Sequence, residues 1–459
     1  MTPLRWAIVA GVAVGFAYTL SPLSVIVMGL LFPLWRWAGA GLDERERRWF
    51  TTLFLVAIAL RLTAIGVLFM SADSTIPYAN FFGDEEFFKR RTTWLRNLGM
   101  GIPIAPADYF YTFDQTGQTS YLPVLTYLQA LVGLAPYGVH VVNAFLYFAA
   151  TMVLFKLVRP SLGGLAAFGG ATVLLFLPSL FVWSVSALKE PLYFFVVSLN
   201  LVAAVTIFRS ERWPHRALAI VAVVAGGYIL QGIREGGLAL TFAGVVGGGG
   251  FSVLVRRPRL LVATIVMVPL VATLAITQPA VQQRAWSAVH EAAYKHWGHV
   301  HTRGLVYKIL DDRFYPDRQT IETMTPREAG RFVMRAIYSY VTVPLPWQIE
   351  SRAALAFLPE QMVWYVLIAL VPIGAVAGVR RDPLLVSLLL AHGVAVSLLV
   401  ALSGGNVGTL VRHRGLSMPY FAWLAALGAV AVARMISESP ATLRPSSSTS
   451  NKAGVACPS

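Results

Sequence analysis

The sequence predicts an all-α polytopic membrane protein with about eleven or twelve transmembrane helices and two long extracytoplasmic segments that carry interfacial helices. Three observations lead to this fold class. The 459-residue chain is 56% hydrophobic and only 13% charged, with a mean hydropathy of +0.64, whereas soluble domains are about 45–50% apolar and about 25% charged. Apolar runs of span length recur along the chain. Arginine-rich clusters follow every second run.

Ten apolar runs after residue 50 are predicted to span the membrane, because a bilayer core requires about 20 apolar residues per helix. They cover residues 50–70, 136–155, 164–182, 188–208, 216–233, 237–255, 260–277, 357–378, 384–402 and 415–434. The stretch 6–35 is either one long tilted helix or two short helices broken at Ser21-Pro22, since proline removes a helix hydrogen bond. Residues 1–436 then form one membrane domain, and the serine-rich residues 437–459 are predicted to be a disordered cytoplasmic tail.

The basic clusters predict the orientation of the spans. Arginine and lysine near span ends stay on the cytoplasmic side, and here they occupy alternate connections without a break. These connections contain Arg36 to Arg48, Lys156 and Arg159, Arg209 to Arg216, Arg256 to Arg259, Arg380 and Arg381, and Arg434. The net charge of +15 comes from such clusters, so we expect no nucleic-acid partner. The extracytoplasmic connections are then 71–121, the turn 183–190, the turn 234–235, 278–356 and 403–414.

The second long extracytoplasmic segment contains one clear helix signal. Thr325-Pro326-Arg327-Glu328 matches a capping box with proline at the first helical position. Apolar residues then recur at helical spacing up to Tyr340, and Arg327, Arg331 and Arg335 share the opposite face. This pattern predicts either a helix in the membrane interface, with its basic face toward headgroups, or a small helix packed within an extracytoplasmic cap.

The first long extracytoplasmic segment contains the candidate catalytic residues. Asp84, Glu85 and Glu86 are three consecutive carboxylates between aromatic pairs and a basic run. Mutual repulsion near the membrane interface favours a raised pKa, which suits a group that abstracts a proton. We predict Asp84 or Glu85 as the catalytic base and Glu86 as a substrate-binding residue. The structural alternative is an acidic first turn of a helix that continues through Leu98, and both interpretations can hold together.

Two short turns place ionisable residues at the same predicted face. Lys189-Glu190 follows one apolar run, and Arg234-Glu235 follows a later one. Charged residues at span ends are costly unless they are paired or bind a ligand, whereas serine, glycine or asparagine would serve a plain turn. We therefore predict that these four residues bind substrate.

The last extracytoplasmic connection breaks the chain's own charge rule. Arg412, His413 and Arg414 lie just before the final span, after a glycine-rich lead-in at Gly404-Gly405. Arginine matches the geometry of phosphate, and glycine lets backbone N–H groups approach an anion. We predict that the three basic residues bind an anionic substrate. The alternative is a salt bridge to the acidic cluster around Asp84.

Metal and cofactor chemistry have little support in the sequence. His290, His296, His299 and His301 lie together, but no ligand falls at an established catalytic zinc spacing around them, and we expect neither a metal nor a cofactor. The single cysteine, Cys457, lies in the tail. No phosphate-binding loop, dinucleotide fingerprint or serine hydrolase motif is present.

This arrangement resembles the GT-C superfamily of membrane glycosyltransferases, in particular the protein O-mannosyltransferase and aminoarabinose lipid A transferase type, which is glycosyltransferase family 39-like. The resemblance covers about residues 50 to 434 and is carried by Gly83-Asp84-Glu85-Glu86, Tyr121-Leu122-Pro123 with Tyr127, Pro178, and Lys189-Glu190. It implies an inverting glycosyltransferase in which Asp84, with Glu85 next, is the base. It also implies that basic residues hold the phosphate of a polyprenyl-phosphate sugar donor.

The acceptor is not implied by the resemblance and is a glycan, a lipid or a protein. We expect a bacterial inner membrane protein with its active site on the extracytoplasmic side. Two other functions fit the layout. A polysaccharide polymerase or ligase of the O-antigen type would use the later segment from His296 to Arg335, and a lipid-linked sugar flippase or transporter would place its charges nearer to the middle of the bilayer.

Overall fold

The computed structural model describes residues 21–71, 80–114, 118–135, 137–302, 304–348 and 358–438, together with Gly11 and Leu355. Over these ranges the chain is helical, without strands, and one isolated antiparallel bridge joins Val306 to Asn406. The predicted disordered tail falls almost entirely outside the described residues, as does most of the stretch 6–20. The last helix continues to Glu438.

The helices follow one another with short connections, except in the two long segments. The first nine are α1 (Pro22–Gly39), α2 (Glu44–Met70), α3 (Gly83–Gly99), α4 (Pro106–Thr112), α5 (Tyr121–Val132), α6 (Gly138–Leu162), α7 (Gly164–Phe176), α8 (Pro178–Val185) and α9 (Glu190–Arg209). The next nine are α10 (Trp213–Ile233), α11 (Gly237–Arg256), α12 (Pro258–Ile276), α13 (Pro279–Val300), α14 (Pro326–Thr342), α15 (Leu358–Val379), α16 (Pro383–Ser403), α17 (Val407–Arg414) and α18 (Met418–Glu438).

Nine helices in the described part of the chain are long and apolar enough to cross a membrane, namely α1, α2, α6, α9, α10, α11, α15, α16 and α18. The bent pair α7 and α8 makes a tenth if it is counted as one span. The helix α12 coincides with the predicted run 260–277. The helix α12 is not among the nine. The ten predicted runs are mainly helical over their described residues, and the all-α polytopic fold class is confirmed.

Proline decides where two of these helices begin. The helix α1 starts at Pro22, after Ser21 in an extended conformation, which is the predicted break. The run 164–182 was predicted as one continuous span, and this is corrected by the structure. It divides at Leu177 into α7 and α8, which are bent by 64°. The cause is Pro178, because a proline inside a helix lacks the N–H group and clashes with the preceding turn.

The final helix α18 lies at the centre of the bundle. Its first half is buried, from Met418 to Gly428, against α7, α15 and α16. Glycine makes the closest of these approaches possible, because a Cβ atom on Gly374 of α15 would lie 1.8 Å from the carbonyl oxygen of Leu424. Small residues at such contacts are the usual means of close helix packing in membranes.

The basic connections gather at one end of the bundle, as the alternation predicts. Arg159, at the end of α6, pairs with Glu46 near the start of α2. Arg209, at the end of α9, pairs with Asp382 before α16. We call this the basic end. The candidate substrate-binding residues lie at the other end of the same helices, so the two kinds of connection are separated by the length of the bundle.

The predicted helix of the second long segment is present as α14. Thr325 and Glu328 form the predicted capping box, with the Thr325 N–H donating to Glu328 Oε2 at 2.8 Å. Phe332, Ala336 and Tyr340 are buried against the bundle.

The basic face of α14 is partnered within the protein. Arg331 and Arg335 both pair with Asp311, at 2.5 and 2.7 Å. This contact favours the alternative in which α14 is packed within a cap, because two of its three arginines already have a carboxylate partner.

Candidate functional site

Four separate parts of the chain bring their charged residues together at the end of the bundle opposite the basic end. Arg412 of α17 donates to Asp84 Oδ2 of α3 at 3.0 Å. Arg234, which follows α10, lies 2.9 Å from His413 of α17. Lys189, which precedes α9, lies within electrostatic range of Asp84, Arg234 and Arg412. We call Asp84, Lys189, Glu190, Arg234 and Arg412 the charged site.

Lys189 is half-buried at the centre of the charged site. Its ammonium group donates to the carbonyl oxygen of Ile233 at 2.9 Å. Burial lowers the pKa of Lys189 most; Glu190 opposes that shift, and the positive neighbours Arg234 and Arg412 add to it. An anion at this position would relieve the repulsion among the three cations.

Arg234 fixes the protonation state of His413. A guanidinium group only donates, so His413 Nε2 accepts this hydrogen bond and the ring is neutral. Burial first, and then the charges of Arg234 and Arg412, hold the pKa of His413 well below its usual range. His413 therefore orients Arg234 and adds no positive charge of its own to the charged site.

Glu190 is the buried carboxylate of the charged site. It is 5% exposed, and its Oε2 atom has no hydrogen-bond partner within the described part of the chain. Arg234 and Lys189 both interact with it electrostatically. A buried carboxylate that keeps an open acceptor position can receive a donor from a bound molecule.

Asp84 is the accessible carboxylate of the acidic cluster, with a side chain that is 62% exposed. It lies in the first turn of α3, which continues to Gly99. The predicted acidic helix start is therefore present. Asp84 also pairs with Arg412, so the acidic helix start contributes one carboxylate to the charged site.

Glu85 faces the opposite way and is completely buried. Its Oε1 atom accepts from the N–H groups of Phe81 and Phe82, at 3.0 and 2.9 Å. Its Oε2 atom accepts from the N–H of Ala187 at 3.0 Å and lies 3.0 Å from His140 Nε2. Glu85 was predicted as a second candidate base. Both of its oxygens are occupied within the protein, so we assign it to the scaffold.

The same contacts set the charge of Glu85. Burial alone would raise the pKa of this carboxyl, but the hydrogen bonds from His140, Ala187 and Phe82 outweigh burial and lower it. The lowered pKa of Glu85 is the opposite of the raised pKa that repulsion within the cluster was expected to produce. Glu85 is a fixed anion that joins the start of α3 to the turn before Lys189.

Two polar residues that the sequence analysis did not identify complete this scaffold. His140 holds Glu85, and Asn143, one turn further along α6, donates to the carbonyl oxygens of Ser186 and Leu188, both at 2.7 Å. Tyr121, part of the Tyr-Leu-Pro motif, donates to the Ala187 carbonyl at 3.2 Å. The sequence signal that could have identified His140 and Asn143 is a histidine and an asparagine one turn apart in an apolar span.

Arg414 does not take part in the charged site. Its guanidinium donates to Gln361 Oε1 at 2.7 Å and to the carbonyl oxygens of Ser339, Tyr340 and Val343. These carbonyls lie at the C-terminal end of α14, where a helix leaves backbone acceptors unpaired. Arg414 was predicted to bind substrate together with Arg412. We assign it instead to fastening α14 to the bundle.

Glu86 and Glu235 lie at the surface. Glu86 pairs with Arg90 at 2.5 Å, one turn along α3, and Glu235 pairs with Lys295 of α13 at 3.0 Å. The side chains of Glu86 and Glu235 are 48% and 76% exposed, and exposed pairs of this kind contribute little to stability. Neither is in contact with Asp84, so the charged site is smaller than the predicted set of residues.

The segment before the final span differs from its prediction as a glycine-rich anion-binding loop. Asn406 caps the helix α17, with its side chain accepting from the Thr409 N–H at 3.3 Å. The preceding residues pair with the second long segment, since the N–H of Tyr307 donates to the Gly405 carbonyl at 3.0 Å. The N–H groups of Gly404 and Val407 donate within the protein, to the carbonyl oxygens of Val400 and Leu305. Arg412 forms the salt bridge with Asp84 that was the stated alternative to anion binding.

The histidines of α13 also support this segment. His296 is buried between the Gly404 carbonyl and the Tyr315 hydroxyl, and burial lowers its pKa to about 4. His299 Nδ1 lies 2.7 Å from the Ser403 carbonyl. Within the described residues no three histidine, cysteine or acidic side chains are grouped as metal ligands would be. These contacts do not favour the alternative of a polymerase site in this segment.

Comparisons with protein families, curated proteins and solved structures found no family model, curated protein or solved structure that matches this chain. The chemistry available to the protein is that of the charged site. The site offers one exposed carboxylate, three cations and one buried carboxylate. That combination can take a proton from a hydroxyl group beside a bound anion.

Proposed function

We propose that the protein is a membrane glycosyltransferase that moves a sugar from a polyprenyl-phosphate donor to a hydroxyl of a glycan, lipid or protein acceptor. The observation that carries the proposal is the contact of Asp84 with Arg412, beside Lys189 and Arg234. A sugar transfer of this kind needs a base for the acceptor hydroxyl and positive charge for the departing phosphate. Both requirements are available within one group of side chains.

In the proposed step the acceptor oxygen bonds to the anomeric carbon from the face opposite the phosphate, so the configuration at that carbon inverts. The bond from the carbon to the phosphate oxygen breaks, and its electron pair leaves with the polyprenyl phosphate. Asp84 takes the hydroxyl proton. Arg412, Lys189 and Arg234 stabilise the negative charge that the phosphate gains.

The pairing of Asp84 with Arg412 couples binding of the sugar donor to release of the catalytic base. Arg412 is 25% exposed at its side chain, and its Nε atom has no partner in the described part of the chain. A phosphate matches the guanidinium fork with two hydrogen bonds. A phosphate bound at Arg412 would compete with Asp84 and release the carboxylate for the acceptor, which favours donor binding before acceptor binding.

Asp84→Asn tests this proposal because it removes the base with little change in size. In membranes supplied with a radiolabelled polyprenyl-phosphate sugar, we expect turnover to fall by about 10²–10⁴, while binding of undecaprenyl phosphate to the purified variant persists. Glu86→Gln is the matched control, since it neutralises an adjacent exposed carboxylate, and it should retain turnover. Wild-type turnover in Asp84→Asn would contradict the proposal.

A further inference from the structure

The span formed by α7 and α8 is broken between Leu177 and Pro178, inside the membrane domain. A break leaves the last carbonyl groups of one helix and the first N–H groups of the next without partners in their own helix. In an apolar environment each unpaired group costs several kcal/mol, so partners must come from neighbouring helices.

Arg61 of α2 donates hydrogen bonds to the carbonyl side of the break, at the end of α7. Its guanidinium donates to the Leu175 carbonyl at 2.8 Å and to Ser184 Oγ of α8 at 2.7 Å, so it joins the two half-helices. Tyr147 of α6 donates to the adjacent Leu174 carbonyl at 2.7 Å. Arg61 is completely buried.

Glu360 of α15 accepts a hydrogen bond on the N–H side of the break, at the start of α8. Its Oε2 atom accepts from the N–H of Ser179 at 3.0 Å, in the first turn of α8. Pro178, the first residue of α8, has no N–H group to satisfy. In the described part of the chain no ion pair within 4 Å includes Arg61 or Glu360, although Arg414 interacts electrostatically with Glu360. The hydrogen bonds of Arg61 and Glu360 go to the half-helices or to their own helix.

The two charges match the dipoles of the half-helices. The C-terminal end of a helix is partly negative and its N-terminal end is partly positive. Arg61 therefore lies at the negative end of α7, and Glu360 lies at the positive end of α8. The bend of 64° is stabilised on both sides by residues from other spans, α2 and α15.

The half-helix α8 leads directly to the charged site. Arg61 holds Ser184 near its end. The following turn, residues 186–188, is held by the scaffold around Glu85 and Asn143, and Lys189 and Glu190 come next. The direction of α8 after the break and the scaffold around this turn together decide where Lys189 lies relative to Arg412.

We infer that Arg61 and Glu360 are positioning residues, which hold the broken span so that Lys189 and Glu190 face Asp84 and Arg412. The consequence for substrate rests on the proposed function, because it assumes that this group of charges binds a polyprenyl phosphate. Arg61→Met removes every donor of the guanidinium, whereas Arg61→Lys keeps a cation at the end of α7. Displacement of a site by about 1 Å can cost on the order of 10²-fold in turnover.

The first measurement is donor-independent and follows the position of α8. Nitroxide labels at Val182→Cys in α8 and Arg90→Cys in α3, in a Cys457→Ser background, report the distance from α8 to the helix that carries Asp84. We expect Arg61→Met to shift or broaden that distance and Arg61→Lys to restore it in part. An unchanged distance in Arg61→Met would overturn the inference.

The second measurement is the affinity of the unlabelled protein for undecaprenyl phosphate. Arg61→Met and Glu360→Leu should weaken binding, whereas Glu360→Gln, which keeps an oxygen for Ser179, should weaken it less. Arg159→Met is the matched control, because it breaks a part-buried ion pair at the basic end and should lower the melting temperature without changing affinity.

The two measurements separate the two proposals. If the wild-type protein does not bind undecaprenyl phosphate but Arg61→Met still shifts the distance, the positioning role holds and the proposed donor is wrong. If the wild type binds and folded Arg61→Met and Glu360→Leu bind equally well, the positioning role is wrong. Should Arg61→Met fail to fold, the Glu360 variants decide the outcome alone.

Discussion

Removal of the Glu85 carboxylate tests whether this residue belongs to the scaffold of the charged site or to its chemistry. Glu85→Ala would remove the acceptor of four donors: the part-buried N–H groups of Phe81 and Phe82, and the buried N–H of Ala187 and ring of His140. A buried donor that loses its acceptor costs about 1–3 kcal/mol, and the part-buried donors cost less because water can reach them. Local relaxation reduces the sum, and loss of one member of a buried charged network typically costs about 3–5 kcal/mol.

We therefore expect Glu85→Ala to lower the stability of the purified protein by about 4 kcal/mol, measured as a drop of several degrees in the melting temperature by intrinsic tryptophan fluorescence. Glu85→Gln should lose less, because one amide oxygen can still accept from Phe81 and Phe82. Glu86→Ala is the control; its solvated pair with Arg90 is worth about 0.3–0.5 kcal/mol.

The dependence of the protein's stability on pH tests the same role of Glu85. The folded protein holds the pKa of Glu85 below its ordinary value of 4.5. The carboxylate therefore contributes its full stability above pH 4.5, and that contribution is lost as the pH falls through the lowered pKa. Glu85→Gln should flatten this loss. A melting temperature of Glu85→Ala equal to that of the wild type would refute the scaffold role and return Glu85 to the candidate bases.

Two further predictions concern the contacts of the arginines in α17 and the orientation of the protein in the membrane. Arg414→Lys keeps the charge but loses the fork that holds Gln361 and the end of α14, so it should lower the melting temperature, whereas the matched Arg412→Lys should not. Single cysteines at Asp84, Arg212 and Arg381, in a Cys457→Ser background, should react with an impermeant thiol reagent in intact cells only at position 84; reaction at 212 or 381 would reverse the orientation.

The helices could be predicted from the sequence because their signals are local. Apolar runs, proline breaks and the capping box at Thr325 each act within a few residues. The same holds for Lys189, Arg234 and Arg412, because each lies at the end of an apolar run, and for Asp84, which is one of three consecutive carboxylates. The alternation of basic connections predicted only that these four segments share one side of the membrane. The ion pair of Asp84 with Arg412 brings two of them into contact, and it is the salt bridge that was the alternative to an anion site.

The scaffold of the site could not be predicted in the same way. Arg61, His140 and Asn143 each lie inside an apolar helix, and their partners are far away in sequence: Arg61 and Leu175 are 114 residues apart. A polar residue in a span indicates that a partner exists, but it does not identify the partner. Glu360 has the same character, because its partner is a backbone N–H group that only the break at Pro178 makes available.

The three consecutive basic residues at the end of α17 illustrate how helical geometry decides function. Successive side chains on a helix are separated by about 100°, so Arg412 and Arg414 point to nearly opposite sides. Arg412 reaches Asp84, His413 reaches Arg234, and Arg414 reaches the end of α14. One ligand cannot contact both arginines from a single side of this helix. The prediction of residues 404–414 as a loop, drawn from Gly404 and Gly405, did not include this constraint. Because α17 is a helix, we expect a phosphate to contact Arg412, while Arg414 holds α14 against the bundle.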